Sequence, residues 1–160
     1  MNYFLFAGAT NVGKTEAVGR LARYLLGRGF QDPQNKVPGT NNPRKDFCTL
    51  LTGMNLARKK IRVIVNSAAD IDQNIDDLVS FCQTNMPYDI VISAVRCDGF
   101  PVRNYFYTRL GINLQTDYVM ELPMAAISAR YTNYITMRRW YRGRIDNIAY
   151  FLLASPPFLI

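Results

Sequence analysis

Apolar and polar positions along the chain divide it into strands and helices that alternate. Tyr3 to Ala7 is a short aromatic and apolar run of strand character, closed by Gly8. From Lys14 the period lengthens: Ala17, Val18, Leu21, Leu25 and Leu26 fall at helical spacing, and Gly27 and Gly29 stand where a helix should stop. Gln31 to Lys45 carries three prolines and several carboxamides with no apolar period, which predicts a long mobile loop over 31–45. Phe47 to Leu51 and Ile61 to Val65 are strand-like runs on either side of the polar stretch Asn55 to Lys60, the pattern of a hairpin. Ser67-Ala68-Ala69-Asp70 has the S-x-x-D form of a helix start, and Ile71, Ile75, Leu78, Val79 and Cys82 supply that helix with an apolar face. Asp89 to Val95 reads as a strand buried on both faces, leaving through Arg96 to Gly99. Val102 to Leu110 predicts a helix, Tyr118 to Leu122 a short strand, and 128–154 a basic helical segment, continuous or in two pieces. The alternation predicts one domain over 1–160: an α/β three-layer sandwich with a mainly parallel sheet and one antiparallel hairpin.

Composition narrows the chemistry. A chain of 160 residues with 49% hydrophobic and 19% charged positions can bury a core without metal or disulfide staples. It contains no histidine, which excludes Ser-His-Asp and Cys-His nucleophile pairs, H-E-x-x-H zinc sites and imidazole acid–base catalysis. Nineteen basic against twelve acidic residues give a net charge of +7, which favours anionic partners. Cys48, Cys82 and Cys97 match neither a disulfide framework nor C-x-x-C spacing, so buried free thiols in a reducing compartment are expected. The N-terminal apolar run lacks a basic region before it, and the C-terminal run from Ile148 to Ile160 is short and broken by Pro156-Pro157. Neither a signal peptide nor a membrane span is expected, and a cytoplasmic location follows.

The strongest local signal is Gly8-Ala9-Thr10-Asn11-Val12-Gly13-Lys14-Thr15, which satisfies G-x-x-x-x-G-K-[ST]. Glycines at these two positions let the backbone curl so that successive N–H groups face phosphate oxygens. The helix that follows presents its positive end to the same anion. With a strand before it and an amphipathic helix after it, the segment resembles the phosphate loop of the P-loop NTPase superfamily. The resemblance implies an N-terminal P-loop in which Gly8 and Gly13 bend the chain. Ala9, Thr10, Asn11 and Val12 contribute backbone amides, Lys14 reaches the β/γ-phosphates, and Thr15 offers its hydroxyl to Mg²⁺. It implies ATP, or another nucleoside triphosphate, with Mg²⁺ as cofactors. The hairpin with Lys59-Lys60-Ile61 and the strand leaving through Arg96 also resemble, in layout, small prokaryotic P-loop proteins related to nucleotide kinases, which favours ATP over GTP.

That superfamily carries a second motif, an apolar strand ending in an aspartate at the metal. Here Asp70 lies five residues past the Ile61–Val65 run. It reaches the metal from the loop or caps the helix it begins, and both readings stand. Asp89 lies at the wrong end of its strand and is expected to be structural. Val95-Arg96-Cys97-Asp98 is vaguely similar to the guanine-reading N/T-K-x-D motif, but Val95 replaces its polar contact. Arg96 either faces the phosphates from the strand edge or is a solvated loop charge. Asp70, Asp72, Asp76 and Asp77 crowd the first turns of a predicted helix, where negative charge is favoured without any metal.

Arg130, Arg138, Arg139, Arg142 and Arg144 are interleaved with Tyr131, Tyr134, Trp140 and Tyr141. Three readings follow: a phosphate clamp similar in kind to kinase lids, a surface for single-stranded nucleic acid, or a solvated basic helix face. The leading functional expectation is Mg²⁺-dependent ATP hydrolysis or phosphoryl transfer to a small acceptor. Lys14 binds the triphosphate, Asp70 is the metal or water-orienting acid, and Arg96, Arg138, Arg139 or Arg142 supplies transition-state charge. A nucleotide switch that recruits a protein partner, and a nucleic-acid-associated ATPase, are the alternatives.

Overall fold

Strands and helices alternate along the chain of the computed structural model, which describes residues 1–127 and 133–160. The elements are β1 (Asn2–Ala7), α1 (Lys14–Gly27), β2 (Cys48–Met54), β3 (Lys60–Asn66), α2 (Asp72–Thr84), β4 (Ile90–Val95), α3 (Pro101–Leu110), β5 (Tyr118–Pro123) and α4 (Tyr134–Ala154). One five-stranded sheet has the order β2-β3-β4-β1-β5. β1 runs parallel to both β4 and β5, and β3 parallel to β4. β2 is antiparallel to β3 with Cys48 opposite Asn66, as the hairpin pattern predicts.

The central strands read as continuous apolar runs because both of their faces are covered. Phe4 and Phe6 of β1 point into a core with Ala17, Leu21 and Leu25 of α1 and Ile145, Ala149 and Leu153 of α4. Tyr3, Leu5 and Ala7 point the other way, onto Ile75 and Leu78 of α2 and Phe106 of α3. This is the expected three-layer arrangement, and each fully buried Phe or Leu contributes about 1.5–3 kcal/mol of transfer free energy.

Strand order places the working edge. The connection through α1 leaves β1 toward β2 and β3, whereas the connection through α3 leaves β4 in the opposite direction, crossing β1 to reach β5. Where the directions diverge, the loops beyond strand C-termini splay apart and leave a crevice. The loops after β1, β3, β4 and β5 all emerge there. So does the chain entering β2, because that strand runs backwards.

One expectation is corrected. Ser67 does not start a helix: α2 begins at Asp72 with Ile71 as its N-cap, two residues beyond Asp70. The Ser67 hydroxyl instead accepts from the Phe47 N–H at 2.9 Å, fastening the start of the hairpin, and Asp70 is left in the loop. The 31–45 segment forms a loop, as its lack of an apolar period predicts, with a bridge from Gln31 to Thr52 and several hydrogen bonds. Asp32 accepts from the backbone N–H groups of Lys36 and Val37 at 2.7 and 2.8 Å, and Arg23 holds Pro38 O at 2.9 Å. The C-terminal helix is found over Tyr134–Ala154, while the expected part at 128–132, including Arg130 and Tyr131, lies outside the described residues. Among the described residues no helix is long and apolar enough to cross a membrane, and all three cysteines are free.

Candidate functional site

The Gly8–Thr15 loop joins the end of β1, an interior strand of the sheet, to the first turn of α1. The Gly8 N–H is held by Val95 O at 3.2 Å, which fixes the loop to β4 as well. A Cβ at Gly8 would lie 2.8 Å from Val12 Cγ2 and 3.0 Å from Met124 O, so the position admits no side chain without displacement. Gly13 has φ +96°, in the left-handed region that glycine enters without steric cost, and it forms the N-cap of α1. Its carbonyl accepts the first helical bond, from Ala17 N at 3.0 Å.

Lys14 folds back across this loop. Its Nζ donates to Gly8 O at 3.0 Å and Ala9 O at 2.8 Å, and lies 3.3 Å from Asp70 Oδ1. Burial lowers the ammonium pKa from its ordinary value, and the neighbouring Asp70 carboxylate offsets part of that effect. Arg96 reaches the same acid from the end of β4, with Nε 3.2 Å from Asp70 Oδ1, and its Nη1 donates to the Thr10 hydroxyl. Arg96 therefore joins the loop rather than standing in solvent. Asp70 Oδ1 is buried and lies outside hydrogen-bond geometry with either cation. Such an acceptor retains unused capacity for a further partner.

Thr15 brings in an acid that the sequence reading missed. Its hydroxyl is 3.2 Å from Asp46 Oδ1 and 3.2 Å from Ser67 O. Asp46 precedes the backward-running β2, so it arrives at the crevice from the start of a strand. The search for an acid following an apolar strand could not find it. Glu16, one residue after Thr15, was missed as well. It is buried and gathers Arg44 at 2.8 Å, Arg138 at 3.5 Å and Arg142. Burial alone would raise the Glu16 pKa, but the hydrogen bond from Arg44 and the charges of Arg142 and Arg138 outweigh it and hold the carboxyl below its ordinary range.

Lys14, Thr15, Asp46, Asp70, Arg44 and Arg138 share the lining of a cavity of about 450 Å³. Of the C-terminal arginines, Arg138 and Arg142 turn toward Glu16. Arg139 and Arg144 stay on the exposed side of α4, where Arg144 lies 5.7 Å from the Trp140 ring centroid. Asp98 pairs with Arg103 at 3.5 Å and is almost fully exposed. Asp89 accepts from the Arg62 N–H at 2.8 Å, the structural role expected of it.

Hard oxygen donors suit Mg²⁺, which is usually held by one or two carboxylates together with substrate phosphates rather than by an all-protein cage. The Thr15 hydroxyl, Asp46 and Asp70, which is already ion-paired with Lys14 and Arg96, are the oxygen donors present. Among the described residues there is no cluster of three or more metal-ligating side chains. Compared with known proteins, the chain matches no family model, no curated protein and no solved structure.

Proposed function

We propose that the protein is a Mg²⁺-dependent ATP-binding P-loop protein that hydrolyses ATP or transfers its γ-phosphoryl group to a small acceptor. One observation carries the reading: a glycine-bounded loop between β1 and α1 holds a buried lysine beside a threonine hydroxyl and two carboxylates. The phosphates lie against the loop amides and the N-terminal end of α1, whose partial positive charge favours them. Lys14 exchanges its two carbonyl partners for phosphate oxygens, a gain because hydrogen bonds to an anion are about twice as strong as neutral ones. Thr15, Asp70 and Asp46 hold the Mg²⁺, which neutralises charge on the phosphates. Arg96, at the end of β4 beside Asp70, and Arg138, in the cavity lining, supply positive charge that offsets the negative charge on the transferring group. None of these roles needs an imidazole, in keeping with the histidine-free chain.

The test is equilibrium binding of Mg·ATP to the parent and to Lys14→Ala. Loss of the ammonium is expected to weaken binding about 100-fold, the equivalent of one or two charge-assisted hydrogen bonds. A variant that binds as tightly as the parent overturns the reading.

A second reading, a nucleotide switch with little turnover, is favoured by Glu16. This carboxylate adjoins Thr15 and holds Arg44 of the 31–45 segment and two arginines of α4. An arriving triphosphate competes for those arginines and so changes what holds both segments. Phosphate release by the isolated protein separates the readings, because fast turnover excludes the switch.

A further inference from the structure

One side of α4 presents large apolar residues to solvent. Its buried side, with Ile145, Ala149 and Leu153, enters the core. A second side meets α1, where Arg20 holds Asp146 and the Tyr24 and Tyr150 rings stack 4.0 Å apart. Met137, Trp140, Arg144, Ile148 and Phe151 follow one another at intervals of three or four residues, which aligns them along a third side. All five are exposed, Trp140 by 62% and Phe151 by 72%. At the rise of an α-helix the stripe is about 21 Å long.

The charge on this side has one sign. Asp146 is the only acid in 122–160, and Arg20 holds it on the α1 side with bonds of 2.7 and 2.9 Å. Arg138 and Arg142 turn to Glu16. Arg139 and Arg144 remain on the exposed side, and the Arg144 guanidinium lies 5.7 Å from the Trp140 ring centroid. Large apolar side chains beside arginines, with no carboxylate among them, are the make-up of a helix that lies in the interface of an anionic bilayer. The apolar groups enter the acyl boundary, the indole sits at headgroup depth, and the arginine stems reach back to lipid phosphates.

Two other occupants match this side less well. The α4 helix of a second copy sets arginines against arginines with no acid to receive them. Single-stranded nucleic acid stacks on aromatic faces and follows a basic groove, so Met137 and Ile148 add nothing for it. We infer that α4 docks the protein on an anionic lipid surface through the stripe of Met137, Trp140, Ile148 and Phe151. The helix lies on the bilayer rather than crossing it, in keeping with its length and polarity. Docking leaves Arg138 and Arg142 in place at Glu16, and it does not depend on what the cavity at Lys14 binds.

Trp140 is the only tryptophan in the chain, so its emission reports this surface alone. The test titrates the intact protein with vesicles of phosphatidylcholine and with vesicles of equal parts phosphatidylcholine and phosphatidylglycerol; co-sedimentation is the second readout. The anionic vesicles are expected to shift the emission to shorter wavelength and to carry the protein down, with the neutral ones about tenfold weaker or worse. Added salt is expected to weaken the anionic binding. Ile148→Gln/Phe151→Gln, changed only at exposed positions, is expected to lose about tenfold or more in vesicle affinity while keeping the parent's melting temperature. Arg139→Gln/Arg144→Gln is expected to lose affinity for the anionic vesicles and to treat neutral ones as the parent does. Absence of both the shift and co-sedimentation with anionic vesicles overturns the inference, and so does equal affinity for the two vesicle types or unchanged affinity in both variants. An emission shift that follows protein concentration, with no vesicle binding, assigns the stripe to a second copy. A shift produced by a single-stranded oligonucleotide but not by vesicles assigns it to nucleic acid, and either assignment overturns the lipid reading.

Discussion

Two carboxylates in this protein are held by arginine, and their surroundings make them different objects. Glu16 stands in the first turn of α1 with 8% of its side chain exposed, gripped by arginines from the 31–45 segment and from α4. Asp76, on α2, has 35% exposed and is met from α3 by Arg109 Nε at 2.7 Å and the Tyr105 hydroxyl at 3.0 Å. Both are held below the ordinary carboxylate range. At Asp76 the first cause is the hydrogen bond from Arg109; at Glu16 burial opposes ionisation and the arginines overcome it. Solvent screens the Asp76 pair, so it does little more than join two helices. Glu16 cannot lose its partners without leaving a buried charge, and it adjoins Thr15. Similar residue chemistry therefore makes a surface clasp in one place and a buried ionic cluster beside the candidate site in the other.

The largest effect expected from this contrast comes from Glu16→Ala. Removing one partner of a buried pair costs several kcal/mol, and solvent access on the arginine side reduces the expected loss here to about 2 kcal/mol. In a chain of this size that is a fall in Tm of about 4–8 °C, measurable by calorimetry. A loss no larger than that of Asp76→Asn removes the distinction. Arg20→Ala comes next, because Arg20 holds Asp146 of α4 with two bonds of 2.7 and 2.9 Å while both remain partly exposed. Its expected cost is about 1 kcal/mol, seen as a smaller shift in the urea midpoint.

Acid titration sharpens the comparison further. The Glu16 carboxyl is lowered from an ordinary value of 4.5, so the unfolded chain takes up the proton first. Its stabilisation is present above pH 4.5 and is lost as pH falls through the lowered folded value. Glu16→Gln is expected to flatten the stability curve over that acid range, and an unchanged acid limb contradicts the role. The smallest effect belongs to Asp76→Asn, for which little change in Tm is expected at moderate salt; a large, salt-independent loss would place Asp76 on the same footing as Glu16.

Much of the scaffold was legible because its signals are local. The Tyr3–Ala7 run, the helical spacing from Ala17 to Leu25 and the two runs around Asn55–Lys60 became β1, α1 and the β2–β3 hairpin. The S-x-x-D pattern at Ser67 misled because Ser67 found a better partner in the Phe47 backbone, a contact across 20 residues. Asp46 was hidden for a related reason: only the reversal of β2 in the sheet brings the segment leading into a strand to the edge where other strands end.

By itself the sequence determined the periodic elements, the glycine-bounded loop with its lysine and threonine, and the exclusion of imidazole chemistry. These depend on residues a few positions apart, whose geometry the backbone sets. Tertiary structure alone decided that Arg96 reaches Thr10 across 86 residues, that Glu16 gathers Arg142 across 126, and that Asp46 stands beside Thr15. Side chains so distant in sequence meet only through the order and direction of strands, and no local period encodes that order.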